Sequence, residues 1–265
     1  MTRPSPRAPP AAKTPGAPLR VLILGGVGEA RRLAERLAGD PRFAGVMSLA
    51  GRTSAPLEQS LPTRVGGFGG TDGLQAYLAA EGFDKVVDAT HPFAARIQAN
   101  ARLACAALGV PLIRLSRPPW RKMDGDRWIE AADTVAAARL LGPAPRRVFL
   151  TIGRQGVGDF RLAPWHEYLL RTIDPPDPND LPPRCEVILA RGPFARDDEI
   201  ALMRAARIDV VVTKNSGGAA TYAKIEAARA LGLHVVMIAP PLCLGVMVTH
   251  EIDEALDFLA ASPSS

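Results

Sequence analysis

Cysteine is scarce: Cys105, Cys185 and Cys243 are the three in 265 residues, far apart and without a C-x-x-C pair. That spacing supports neither a disulfide framework nor a zinc site, and leaves reduced, buried thiols as the expectation. Histidine is equally sparse, and His91, His166, His234 and His250 show no H-E-x-x-H or other ligand spacing, so no metal centre is expected. Aromatics make up 5% of the chain, and lysine occurs only at positions 13, 85, 122, 214 and 224. Without a dense basic stretch interleaved with aromatics, a helix-turn-helix signature or an RNA-binding aromatic motif, nucleic acid is not an expected partner. No apolar run reaches the roughly 20 residues of a membrane span, and the N-terminus has no apolar h-region. These absences predict a soluble, cytoplasmic protein without a membrane, nucleic-acid or metal partner.

What is present starts with a core, since 47% of the residues are hydrophobic. The net charge of +5 comes almost wholly from arginine, a balance that suits an anionic ligand. Residues 1–18 hold six prolines with Ala, Ser and Thr, and are expected to be a disordered tail. The organising stretch follows. Arg20 to Leu24 is an apolar, β-branched run of the kind that makes a buried parallel strand, and it stops at Gly25-Gly26. From Glu29 the spacing of Ala30, Leu33, Ala34 and Leu37 gives one apolar helical face. A strand, a glycine turn and a helix starting on the glycines aim backbone N–H groups and a positive helix end at a phosphate. Gly25, Gly26, Val27, Gly28 and Glu29 are therefore cofactor candidates. The pattern is G-G-x-G-E, with Arg31 where a third glycine would complete the dinucleotide fingerprint, and a simple tight turn explains the glycines equally well.

A second strand, Val46 to Ala50, ends at Gly51-Arg52-Thr53-Ser54. In dinucleotide-binding units this strand end faces the adenine ribose, where an acidic residue selects NAD and an arginine accommodates the 2′-phosphate of NADP. Arg52, Thr53 and Ser54, with no carboxylate before Glu58, predict NADPH; a solvated loop arginine is the plainer alternative. Gly66 to Gly70 holds four glycines around Phe68 before a helix opening at Thr71 and Asp72. Gly67, Phe68, Gly69 and Gly70 are assigned to the sugar or ring portion of a cofactor, because Asp72 would repel a phosphate. Lys85 to Thr90 reads as a strand, and Pro92 as the first position of a helix running to Leu108, which puts Thr90, His91 and Phe93 at the strand mouth. A capping histidine is the competing reading of His91. A strand from Pro111 to Leu115 completes a first domain over 19–115, with 116–130 as linker.

The second half, 131–265, repeats the alternation, with the last helix free to return to the first domain. Its predicted strands are Arg147–Ile152, Tyr168–Ile173, Cys185–Ala190, Asp209–Thr213 and His234–Ile238; its helices are Ala131–Leu141, Asp197–Ala206 and Gly218–Leu231. The fold class is α/β, with a doubly wound parallel sheet in the first domain and the same alternation repeated in the second. Three strand ends carry Arg154-Gln155, Arg191 and Lys214-Asn215-Ser216-Gly217, which together suit a carboxylate or phosphate receptor. Taken singly, each cation is also consistent with an ordinary exposed residue.

The motifs L-I-L-G-G-V-G-E-A-R, S-L-A-G-R-T, V-G-G-F-G-G, V-V-D-A-T-H-P-F-A, V-F-L-T-I-G-R-Q, R-G-P-F and T-K-N-S-G-G, in this order, resemble the precorrin-6A reductase family of cobalamin biosynthesis. The resemblance runs from about Val21 to Pro241; Val27 departs from it by replacing a small polar residue, and the Pro-rich tail lies outside. It implies an α/β fold of two Rossmann-like doubly wound parallel-sheet domains with an interdomain cleft, and NADPH-dependent reduction of one ring-D double bond of a tetrapyrrole, precorrin-6A, to precorrin-6B. That substrate carries acetate and propionate carboxylates, for which Arg154, Gln155, Arg191, Lys214, Asn215, Ser216 and Gly217, with His91 and Phe93, are the candidate ligands. His91 and Lys214 are the candidates for a catalytic side chain. A non-catalytic NADP(H)-binding module and a tetrapyrrole synthase or lyase on a similar two-domain scaffold are the rival readings.

Overall fold

A computed structural model describes residues 16–51, 58–242 and 245–261. The chain opens with β1 (Leu19–Leu24), α1 (Gly28–Ala38), β2 (Phe43–Leu49), β3 (Thr63–Val65), α2 (Thr71–Glu81), β4 (Lys85–Asp88), α3 (Ala95–Leu108) and β5 (Leu112–Leu115). It continues with β6 (Arg127–Ala131), α4 (Thr134–Leu140), β7 (Arg147–Thr151), β8 (Glu167–Thr172), β9 (Cys185–Leu189), α5 (Arg196–Ala205), β10 (Val210–Lys214), α6 (Ala223–Ala230) and β11 (His234–Ile238). β12 (Met247–Thr249) and α7 (Ile252–Ala260) close it. These elements form two compact units, and β12 and α7 belong to the first.

The first unit is built on a six-stranded sheet of order β3-β2-β1-β4-β5-β12, every pair parallel. Alternation along β1 splits its core between two faces. Val21 and Ile23 pack with Ala30, Leu33 and Leu37 of α1 and Ala255 and Leu259 of α7. Leu22 and Leu24 pack with Leu74 and Leu78 of α2 and Ala101, Ala104 and Cys105 of α3. Both faces are thus dry, as continuous apolar strands require. The returning helix is tied by Lys85, buried at the start of β4, whose Nζ donates to the carbonyls of Phe258 (2.6 Å), Leu259 (3.2 Å) and Ala261 (2.6 Å). A cation on the terminal carbonyls of α7 satisfies acceptors that no further turn would reach.

The second unit holds a six-stranded sheet of order β9-β8-β7-β10-β11-β6, again all parallel. Phe149, Leu169, Val211, Val235 and Met237 meet Met203 of α5 and Ile225, Ala227 and Ala228 of α6 on one face. The alternate residues Val148, Leu150, Val210 and Val212 are buried too, so the other face is covered as well.

Several sequence expectations shift. Arg127–Ala131, read above as the end of the linker and the first residue of a helix, is edge strand β6; its charged and exposed positions hide the strand pattern. Pro92 does not start α3: the chain makes a turn there, with Ala94 N–H on the His91 carbonyl at 2.8 Å, and the helix begins at Ala95. Ala89 and Thr90 lie beyond β4. The helix expected from Gly218 is a short 3-10 turn over Ala219–Thr221 followed by α6. Of the thiols, Cys105 is buried but Cys185 is only half-buried; Cys243 lies outside the described residues.

Candidate functional site

In a doubly wound sheet the ligand side is the carboxyl edge at the point where strand order reverses. For the first unit that point lies between β1 and β4. Gly25 donates its N–H to the Ser48 carbonyl at 2.9 Å, and a Cβ on it would lie 2.4 Å from Met47 Sδ, so the turn packs closely against β2 and a larger residue here would displace the Met47 side chain. Gly26 is different. Its φ is +151°, and a Cβ on Gly26 or Gly28 would meet nothing within 4 Å. Val27 stands at the start of α1 in extended conformation, and no side chain caps the first amides of the helix. Glu29 is ion-paired with Arg32 at 3.0 Å. An eleven-residue helix with uncapped first amides at the switch point has the donors and the dipole end that suit an anion.

Beside it, Arg64 of β3 organises the glycine loop. Its guanidinium donates to Ser48 Oγ (3.2 Å) and to the carbonyls of Gly66 (2.9 Å) and Gly67 (3.1 Å), and lies 4.0 Å from the Phe68 ring centroid. Gly73, inside α2, is what lets the loop fold down: a Cβ there would overlap the Phe68 carbonyl at 1.7 Å. Gly67, Gly69 and Gly70 remain exposed. Arg52, Thr53 and Ser54 lie outside the described residues.

At the end of β4, Asp88 is buried and accepts from Thr90 N–H (3.1 Å) and Thr90 Oγ1 (2.6 Å). Burial pushes the Asp88 carboxyl up, while the Thr90 hydroxyl and the Arg114 guanidinium pull it back. Gln98 donates to the His91 carbonyl at 2.9 Å, and Arg114 to the Pro92 carbonyl at 3.3 Å. His91 Nδ1 accepts from Phe93 N–H at 3.2 Å, which leaves the proton of a neutral ring on Nε2. Thr90 therefore braces the loop from inside, and His91 and Phe93 share a half-buried turn at its mouth.

In the second unit the switch point lies between β7 and β10. Lys214 closes β10 and reaches the β7 loop, where its Nζ donates to the carbonyls of Ile152 (2.8 Å) and Gln155 (3.2 Å). Burial depresses its ammonium to about 8. Arg154 and Gln155 are exposed on that loop, which lines a cavity of about 550 Å³ with Asp159, Asp177 and Asp180. Asn215 faces inward: Oδ1 accepts from Trp120 N–H at 2.7 Å, and Nδ2 donates to the Trp120 carbonyl at 3.0 Å. Trp120 Nε1 adds a bond to the Gly218 carbonyl at 2.9 Å. The Arg117–Trp120 segment, assigned above to the linker, thus straps the T-K-N-S-G-G turn, and a Cβ on Gly217 would lie 2.2 Å from the Pro118 carbonyl oxygen. Ser216 and Gly217 are buried under it. Arg191 is exposed beyond the end of β9, on a loop that touches the 3-10 turn following T-K-N-S-G-G through Phe194 N–H to the Ala220 carbonyl at 3.4 Å.

Sequence reasoning missed Arg64, Asp88, Gln98, Arg114 and Trp120, all of which hold the candidate loops from behind. Only a charge interrupting an apolar strand, as Asp88 does after V-V and Arg114 after L-I, signalled any of them. Among the described residues no group of His, Cys, Asp and Glu side chains could hold a metal, and no helix is long and apolar enough to cross a membrane.

Two parallel doubly wound units, the first with a nucleotide-type turn at its switch point, define a Rossmann-like protein of the dinucleotide-binding class. The family model "Precorrin-6x reductase CbiJ/CobK" matches residues 20–260. The chain is 52% identical over 241 residues to a precorrin-6A reductase of Sinorhizobium sp, covering 91% of this chain and 92% of that one. It is 54% identical over 242 residues to the Rhodococcus erythropolis precorrin-6A reductase, covering 91% and 96%. A solved structure titled "CobK precorrin-6A reductase" superposes with a TM-score of 0.85 at 48% identity, covering 91% of this chain and 96% of that one. The chain belongs to the precorrin-6x reductase family and is an oxidoreductase acting on a C=C bond.

Proposed function

We propose that this chain reduces precorrin-6A to precorrin-6B with NADPH, at a ring-D double bond of the macrocycle, in the cytoplasm. The observation that carries the cofactor half is the uncapped, unobstructed start of α1 at the first sheet's switch point. When bound, NADPH would supply the hydride. Gly25 to Glu29 would hold its pyrophosphate on backbone N–H groups, and Gly67 to Gly70, shaped by Arg64, would take the sugar and ring portion. Thr90 sets the backbone of the strand mouth, where His91 and Phe93 lie. Arg52, with Thr53 and Ser54, would take the 2′-phosphate on the sequence reading.

In the second unit Arg154, Gln155 and Arg191 are the groups exposed enough to meet acetate and propionate carboxylates. Lys214, Asn215, Ser216 and Gly217 shape the turn that joins their loops. A conjugated, polarised macrocycle asks the protein for orientation more than for a nucleophile, so arginine–carboxylate pairing would contribute mainly through positioning. The test is anaerobic loss of NADPH absorbance on adding precorrin-6A. Turnover without NADPH loss, or NADPH binding without turnover, rejects the reading in favour of a lyase or a binding module. In the same assay Arg52→Ala is expected to cost about 1.5–3 kcal/mol of NADPH affinity and to leave NADH unchanged.

A further inference from the structure

Beneath the two loops that carry Arg191 and the T-K-N-S-G-G turn lies a buried ionic cluster. Arg171, in β8, is 7% exposed and Glu199, in the first turn of α5, is 2% exposed. They form a two-point pair: Nη1 to Oε1 by a short contact, and Nη2 to Oε2 at 3.0 Å. The guanidinium lies 3.7 Å from the Phe194 ring centroid and 5.0 Å from that of Phe149. Lys224 of α6, 4% exposed, donates to the Thr221 carbonyl at 2.7 Å and lies 4.8 Å from the Trp120 ring centroid. Burial first, and Arg171 second, depress its ammonium to about 7.

Such a pair is a poor device for stability alone, because well-packed apolar residues can replace a buried ion pair without loss of stability. It is a good device for direction. The carboxylate fork fixes the plane of the guanidinium, and that plane fixes where a ring can stack. The ring here is Phe194, three residues after Arg191, and the Phe194 amide is in turn bonded to Ala220. Gly192, between them, has room for no larger residue without moving its neighbours: a Cβ would lie 3.1 Å from the Ala220 carbonyl oxygen and 3.2 Å from the Phe194 ring. The loop is held at one point by stacking and at another by packing, and Arg191 is the charged group it presents.

We propose that Arg171 is a positioning residue for substrate binding: held by Glu199, its guanidinium seats Phe194 and so fixes the loop that offers Arg191 to a macrocycle carboxylate. This rests on the reading of Arg191 given above. The test is steady-state kinetics with precorrin-6A at saturating NADPH, alongside NADPH affinity and melting temperature. Arg171→Met/Glu199→Met removes both members of the pair together, so neither is left buried without the other. It is expected to raise KM for precorrin-6A about tenfold with kcat within about threefold, and to leave NADPH affinity and melting temperature at or above wild type. Phe194→Leu, which keeps the pair but removes the stacking face, is expected to raise KM likewise, and it decides the matter should the double variant fail to fold. Adding Arg191→Ala to the Met pair should bring no further rise, a coupling that a merely structural pair would not show. Arg191→Ala alone separates the two claims. If it leaves KM unchanged, the carboxylate role of Arg191 is rejected and this proposal with it; if it raises KM while the Met pair and Phe194→Leu do not, the positioning role alone is overturned.

Discussion

The two sheets can be laid strand for strand on one another: β3-β2-β1-β4-β5-β12 against β9-β8-β7-β10-β11-β6. Both place glycine-rich turns at the carboxyl ends of the strands, yet apart from Gly25, which packs against Met47, the glycines are there for opposite reasons. In the first unit a Cβ on Gly28, Gly67, Gly69 or Gly70 would meet nothing within 4 Å. In the second, the positions of Gly217 and Gly218 are filled by the Arg117–Pro118 strap, with a Cβ on Gly218 falling 2.8 Å from Arg117 Cδ. One turn is left open to something outside the chain; the other is small so that the chain can cover it. A G-G pair after an apolar strand reads the same in both sequences, and only what lies above it separates a ligand turn from a packing turn.

Exchanging the two kinds of glycine should produce opposite failures, and this is the largest effect expected. Gly217→Ala combines a φ of +67° with a Cβ 2.2 Å from a backbone oxygen. Strain and overlap together should cost about 2–5 kcal/mol in urea unfolding, with NADPH affinity unchanged. Gly28→Ala, at the first position of α1, should leave stability unchanged or slightly higher, because alanine is the better helix former, yet weaken NADPH about tenfold or more by intruding on the pyrophosphate. Unchanged NADPH binding in Gly28→Ala would break the comparison at its root.

Lys214, which closes β10, and His91, which follows β4, stand at the ends of matching strands, and they sharpen it next. Lys214→Met takes the donor from two carbonyls, and charged hydrogen bonds of this kind contribute about 1.5–3 kcal/mol. Both melting temperature and KM for the macrocycle should therefore change together, because the loop being released carries Arg154 and Gln155. A KM change without a stability change would instead make Lys214 a direct ligand. His91→Ala removes a ring that accepts from Phe93 N–H. It should lower kcat by less than about 10²-fold, the lower end of what losing a general acid costs. A larger loss at saturating substrate with NADPH affinity intact would make His91 the acid.

What was legible follows from how the signals arise. β1, β7, β10 and β11 are buried on both faces, so they stand out as apolar β-branched runs bounded by glycine or polar residues. β6, an edge strand with exposed Arg127 and Glu130, and β12, three residues long, carry no such run. The start of α3 was misplaced because Pro92 favours a first helical turn on its own, whereas Gln98 and Arg114 hold the carbonyls of residues 91 and 92 in a non-helical turn. At the site, the loops were visible and their supports were not. Lys85, Arg171, Glu199 and Lys224 sit where periodicity assigns charge to a wet face, and their partners are brought in from distant sequence: Lys85 meets carbonyls of α7, and Arg171 meets Glu199 across 28 residues. A charge inside an apolar strand or on an apolar helix face is the trace such pairs leave.

The smallest expected effect concerns the buried lysine of the second unit. Lys224 has its ordinary value of 10.5 when unfolded and about 7 when folded. Below about 7 it is protonated in both states, so the burden of burying its charge is fully present and pH-independent. Between about 7 and 10.5 the unfolded chain holds a proton that the folded chain has released, so stability rises with pH, by about 1.4 kcal/mol per unit for one proton. Lys214, depressed to about 8, adds the same sign only above that value, and His166, pushed down by burial, acts below its ordinary 6.5. Cys105, pushed up to about 12 by burial in the first unit, has the opposite sign and enters only above its ordinary 9.0. Urea unfolding from pH 7 to 8 should therefore show stability climbing more steeply in the wild type than in Lys224→Met. An equal climb in both would mean that Lys224 stays charged in the folded protein and that the cluster under the Arg191 loop carries two cations against Glu199.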